Sequence, residues 1–189
     1  MHRYVSFSVA CCMALLAFLP PLAMAEDFGI ELRGGLFSHS TDDPKYVMGI
    51  LSTERIHDLN VELLIEIPGL TQWVTLGTVR PHVGATLNTS GLESMVYGGV
   101  SWTVPFLDTP VFVEASFGGA LHNGSTHGQA SQPARDLGCT LLFRESVSLG
   151  YALTDKASIM ATIEHASNAN LCHHNRGLTN IGVRVGYRF

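Results

Sequence analysis

The residues best suited to nucleophilic chemistry are His165-Ala166-Ser167, an imidazole and a hydroxyl two positions apart. A serine hydroxyl is a poor nucleophile until a neighbouring base takes its proton. Along a β-strand, residues i and i+2 share a face and stand about 6.6 Å apart, so both side chains can meet. Asn168 follows directly, then Asn175-Arg176-Gly177-Leu178, and an alternating segment runs to Phe189. Spacing alone also permits a second reading, the polar end of a strand entering a headgroup zone. The elements that carry the pair must decide.

Those elements are strands. Ile181, Val183, Val185, Tyr187 and Phe189 alternate with Gly182, Arg184, Gly186 and Arg188. Seven further segments share this period of two: 28–36, 59–67, 82–88, 96–104, 111–118, 141–149 and 159–164. Eight such segments predict an all-β fold, an eight-stranded antiparallel transmembrane β-barrel with both termini periplasmic. A soluble barrel with its apolar residues inside is the alternative. The lumen of eight strands is narrow and filled by side chains, which suits the Gly, Ser, Thr, Arg and Glu of the second face. The long connections, 38–57, 123–137 and 168–178, are then extracellular. The turn at Thr154-Asp155 is periplasmic, as is a longer connection at 68–77.

Composition agrees. Charged residues make up 14% and hydrophobic residues 46%, with 19 glycines. Arg3, the apolar run Val5 to Leu22 and Ala23-Met24-Ala25 predict a signal peptide over 1–25, leaving 26–189 as one barrel domain. No segment of 26–189 has the roughly 20 uninterrupted apolar residues of a transmembrane helix. The net charge of −5 becomes more negative once Arg3 leaves, which argues against a nucleic-acid binder. The outward parity of Ile159, Ala161 and Ile163 continues to His165 and Ser167. Both reactive groups are therefore expected to face lipid at the extracellular end.

The block His165-Ala166-Ser167-Asn168-Ala169, the Asn175-Arg176-Gly177 turn and the closing aromatic strand resemble the lipid A 3-O-deacylase (PagL) family of outer-membrane serine esterases. The resemblance implies hydrolysis of the ester-linked 3-hydroxyacyl chain at position 3 of lipid A in lipopolysaccharide, without metal or cofactor. It makes Ser167 the nucleophile and His165 the general base. Asn168 and the backbone N–H of Asn170, where the family has glycine, would form the oxyanion hole. Phe143 and Ile163 would line the acyl approach. Lipid A in the outer leaflet is the implied substrate, and the terminal Phe189 implies delivery by the outer-membrane barrel assembly machinery.

One position departs from the pattern. The family's histidine-orienting glutamate, two residues after the glycine, is Thr179 here. Glu145, on the outward parity of its strand, is a possible substitute acid. Pairing strands about Thr154-Asp155 predicts Phe143 beside His165 and Glu145 beside Ile163, diagonal to the histidine; a register slip would instead turn Glu145 into the lumen. Glu164 is expected in the lumen, opposite Arg184. Cys139 and Cys172 are expected to form a disulfide, the compartment being oxidising. His173 and His174 are read as solvated loop residues. Two other functions stay open: a non-enzymatic small barrel for adhesion or membrane integrity, and a phospholipase or other carboxylesterase.

Overall fold

Alternation of apolar and polar residues ties each strand to a single register, because a one-residue slip would turn the buried arginines and glutamates into lipid. A computed structural model describes residues 29–41, 55–67, 69–128, 130 and 134–189. The expected leader, Phe28 and most of the 38–57 connection lie outside these. The elements are β1 (Ile30–Ser38), β2 (Ile56–Ile65), β3 (Thr78–Asn88), β4 (Met95–Pro105), β5 (Val111–His122), β6 (Leu141–Ala152), β7 (Ala157–Ser167) and β8 (Leu178–Arg188). Each strand pairs antiparallel with the next, and β8 returns to β1 to close the barrel. The connection expected at 68–77 carries a short 3-10 turn, Thr71–Trp73.

Leu36, Val83, Phe117, Leu149 and Val185 are more than half exposed on the outer face, surface that a bilayer covers. The inner face is polar and closed. Arg33 bonds Glu31 at 2.6 Å and Glu114 at 2.5 Å; Arg184 reaches Glu62 at 2.9 Å. Glu164 faces the lumen as expected, but Asn180 lies opposite it and Arg144 holds it at 2.7 Å. Arg184 instead faces Met160, four residues farther down β7. Removing one member of such a buried pair costs about 3–5 kcal/mol, so the ladder ties distant strands together.

Towards the extracellular end the lumen also holds an apolar cluster beside its polar groups. Met95, Tyr97, Ala120, Leu137, Leu142, Ala166 and Leu178 pack into one cluster. Ala166 and Leu178 belong to β7 and β8, so this core backs the strand ends that carry His165 and Ser167.

The β6–β7 hairpin corrects the expected pairing. Its loop is Leu153–Lys156, with the N–H groups of Leu153 and Thr154 donating to the Ala157 carbonyl. Thr154 Oγ1 accepts the N–H groups of Lys156 and Ala157. The strands therefore pair about Asp155, one residue beyond the predicted centre. Phe143 faces Ser167, Glu145 faces His165, and Val147 rather than Glu145 faces Ile163.

Candidate active site

His165 stands between two polar neighbours on the outer face, Glu145 on β6 and Thr179 on β8. Its inward neighbours Arg144, Ala166 and Asn180 are buried, so the alternation sends His165 and Ser167 outward. His165 Nδ1 and Thr179 Oγ1 are 2.8 Å apart, a hydrogen bond that leaves Nε2 for a second partner. Glu145 is exposed on the same face, not turned into the lumen, and makes no hydrogen bond to His165 among the described residues. Ser167 Oγ likewise has no hydrogen-bond partner among them.

Gly177 sets the position of the imidazole. Its φ of +60° lies in the left-handed region, and a Cβ there would stand 2.9 Å from His165 Cε1 and 3.4 Å from Nε2. Gly177 is one step above the Ala166–Leu178 pair, at the level of Ser167, so the ring's Cε1–Nε2 edge reaches the serine's level. Gly177→Ala combines a left-handed penalty of about 1–2 kcal/mol with a push on the ring. Because displacements near 1 Å can cost about 10²-fold in rate, the variant should lose roughly 10- to 100-fold in kcat. Steady-state ester hydrolysis by the folded barrel checks this; unaltered turnover would mean the ring tolerates the added methyl.

Beyond Ser167 the chain turns back at Asn168–Leu171, closed by the Leu171 N–H on the Asn168 carbonyl at 3.0 Å. Ala169 and Asn170 have φ of 52° and 63°, the conformation of a type I′ turn. For alanine this is strained, and such strain concentrates at functional sites. The backbone N–H groups of Ala169 and Asn170 have no partner among the described residues. Asn168 is placed differently from the expected donor role. Its side-chain amide is buried, donating to the carbonyls of Leu137 at 2.8 Å and His174, and its backbone N–H donates to Asn175 Oδ1 at 3.1 Å. Its N–H groups hold the loop, leaving none directed at a substrate.

Cys139 and Cys172 are joined in a disulfide with Cα atoms 5.8 Å apart, linking the approach to β6 with the 168–177 loop. Phe143 stacks on Phe117 with ring centres 6.0 Å apart. These two rings, Leu141 and Leu171 rise around Gly118 and Gly119 to form an apolar cleft of about 290 Å³ beside Ser167. Ile163, the other expected lining residue, is exposed lower on β7, outside this cleft.

Arg135, Gly138 and the left-handed turn conformation of Ala169 escaped the sequence reading. Gly138 has φ +74°, and the space a side chain would need there is taken by the His174 carbonyl and the Asn168 amide. A positive φ at alanine and an arginine in an irregular connection leave no periodic signal. Glu93, which accepts the Arg135 backbone N–H, belongs to a buried ionic cluster. His39 bonds Asp58 at 2.9 Å and Glu93 at 3.1 Å. Burial opposes the His39 charge, but those two carboxylates outweigh it and raise its pKa to about 9.

Comparison with known proteins accords with this geometry. A sequence profile of the lipid A 3-O-deacylase (PagL) family matches residues 62–188. The fold superposes on the crystal structure of the outer membrane enzyme PagL with a TM-score of 0.59 and 16% identity, over 84% of this chain and 99% of that one. It also superposes on the N-terminal β-barrel domain of Pseudomonas aeruginosa OprF (TM-score 0.54, 11% identity, 85% and 97% of the two chains). Neisserial surface protein A gives 0.51 at 11% identity, over 86% and 97%. No curated protein sequence matches the chain significantly. The profile match spans most of the barrel, including both strands that flank His165: the chain is a bacterial outer-membrane β-barrel and belongs to the lipid A 3-O-deacylase (PagL) family.

Proposed function

We propose that the protein hydrolyses the ester linking the 3-hydroxyacyl chain to position 3 of lipid A, with Ser167 as nucleophile and His165 as general base. The observation that carries this reading is the outward placement of both residues beside an apolar cleft at the extracellular end of the barrel. An acyl chain lying in the outer leaflet meets the cleft without leaving hydrocarbon, and its ester comes level with Ser167. His165 Nε2 takes the serine proton as Oγ attacks the carbonyl carbon, in the tautomer whose Nδ1–H donates a hydrogen bond to Thr179 Oγ1. The oxyanion is held by the N–H groups of Ala169 and Asn170. Expulsion of the sugar alkoxide takes the proton from His165, and water attacking the acyl-serine completes the cycle with the same base.

The leader 1–25 and recognition of Phe189 by the barrel assembly machinery belong to the same proposal. They account for delivery of a strand-rich chain to the outer membrane. Mass spectrometry of lipid A from cells with and without the gene tests the activity. Loss of one 3-hydroxyacyl chain is expected when the protein is present. An unchanged spectrum would remove lipid A as substrate, and fatty acid released from glycerophospholipid instead would assign a phospholipase.

A further inference from the structure

The segment 135–139, in the β5–β6 connection, fastens the 168–177 loop at successive points. The Arg176 N–H donates to the Asp136 carbonyl at 3.2 Å, Asn168 donates to the Leu137 carbonyl at 2.8 Å, and Cys139 is bonded to Cys172. A further fastener is Arg135, whose Nη1 donates to the carbonyls of Arg176 and Gly177, both at 3.3 Å. Its Nε donates to Ser40 Oγ at 2.8 Å, so one buried guanidinium joins three extracellular connections. Arg135 is itself held, because its backbone N–H donates to Glu93, the carboxylate paired with His39.

We infer that Arg135 is a positioning residue for the reaction: by gripping the Arg176 and Gly177 carbonyls, which flank the Gly177 Cα, it fixes the glycine against which the His165 ring rests. This rests on the proposed Ser-His chemistry. A guanidinium is suited to the task because its planar fork offers several donors in fixed directions, which a lysine ammonium does not. Its effect passes through the backbone at 176–177.

The experiment uses the full barrel folded in vesicles, assayed on lipid A, with Arg135→Ala and Arg135→Lys. The alanine variant should lose roughly tenfold in kcat with KM within about twofold, and lysine should restore part of the loss. Amide exchange at 175–178 should quicken in Arg135→Ala while the central amides of β6 and β7 keep their protection. Wild-type kcat in Arg135→Ala, or unaltered exchange at 175–178, overturns the inference. If the alanine variant does not fold, Arg135→Lys decides by the same two readouts. Exchange is read without turnover, so an inactive wild-type protein would sink the proposed function while still scoring the grip of Arg135 on the loop.

Discussion

Ser167→Ala is expected to lower ester hydrolysis by at least about 10³-fold while the barrel still assembles. Both halves of that expectation come from the same geometry. Ser167 ends β7 on the outer face, and its hydroxyl has no hydrogen-bond partner among the described residues, so truncation leaves no buried polar group unpaired. The cluster behind it, including Ala166, Leu142 and Leu178, is untouched. The measurement pairs turnover on lipid A with the shift in gel mobility that a folded outer-membrane barrel shows before boiling. A folded variant that retains most of its activity would exclude Ser167 as nucleophile. The residual rate should resemble that of the oxyanion donors acting alone on water, so a small activity above background is compatible with the mechanism.

The second large effect has the opposite sign. Thr179→Glu is expected to raise kcat by roughly 10- to 100-fold. In a serine triad, replacing the carboxylate by a neutral amide lowers turnover about 10⁴-fold, chiefly by allowing the wrong tautomer. Threonine has the same ambiguity as that amide: its hydroxyl can accept from Nδ1–H, which frees Nε2 as a base, or donate to Nδ1, which puts the proton on Nε2. Only the first arrangement is productive. A carboxylate at 179 can only accept, and it also stabilises the imidazolium formed as Ser167 attacks. The gain is set below the full 10⁴ because Glu145 faces His165 from β6. Directly opposed residues have Cβ atoms about 4.5–5.5 Å apart, so Glu145 already supplies part of the field. Thr179→Ala and Glu145→Gln complete the set. With Thr179 as orienting group, the alanine variant loses more than the glutamine variant. A collapse of activity in Glu145→Gln together with no gain in Thr179→Glu would transfer the role to Glu145.

The β6–β7 register bears on the choice between Thr179 and Glu145. Strand parity, which depends only on the two-residue period, was legible for Phe143, Glu145, His165, Ser167 and Thr179 alike. Opposition across the ladder depends on where the hairpin turns. Thr154-Asp155 marks a turn in sequence, but the centre was set by Thr154 capping the N–H groups of Lys156 and Ala157. One residue in the turn moved Glu145 from diagonal to direct opposition with His165.

The sequence by itself determined the strand count and the parity that sends His165 and Ser167 to one face, because these follow from local periodicity and side-chain type. Asn168 shows where local pattern stops. An amide next to a nucleophile suggests an oxyanion donor, yet the fold commits both of its N–H bonds to the carbonyls of Leu137 and His174. Residues 31 and 6 positions away in the chain make that commitment, and no local pattern announces them. The same holds for Arg135 reaching Gly177 across 42 positions, and for His165 finding Thr179 across 14. Those contacts exist because closing the sheet brings the extracellular connections together over one lumen. Only the tertiary structure decided which donors remain free, since a hydrogen bond made between loops is a property of their meeting.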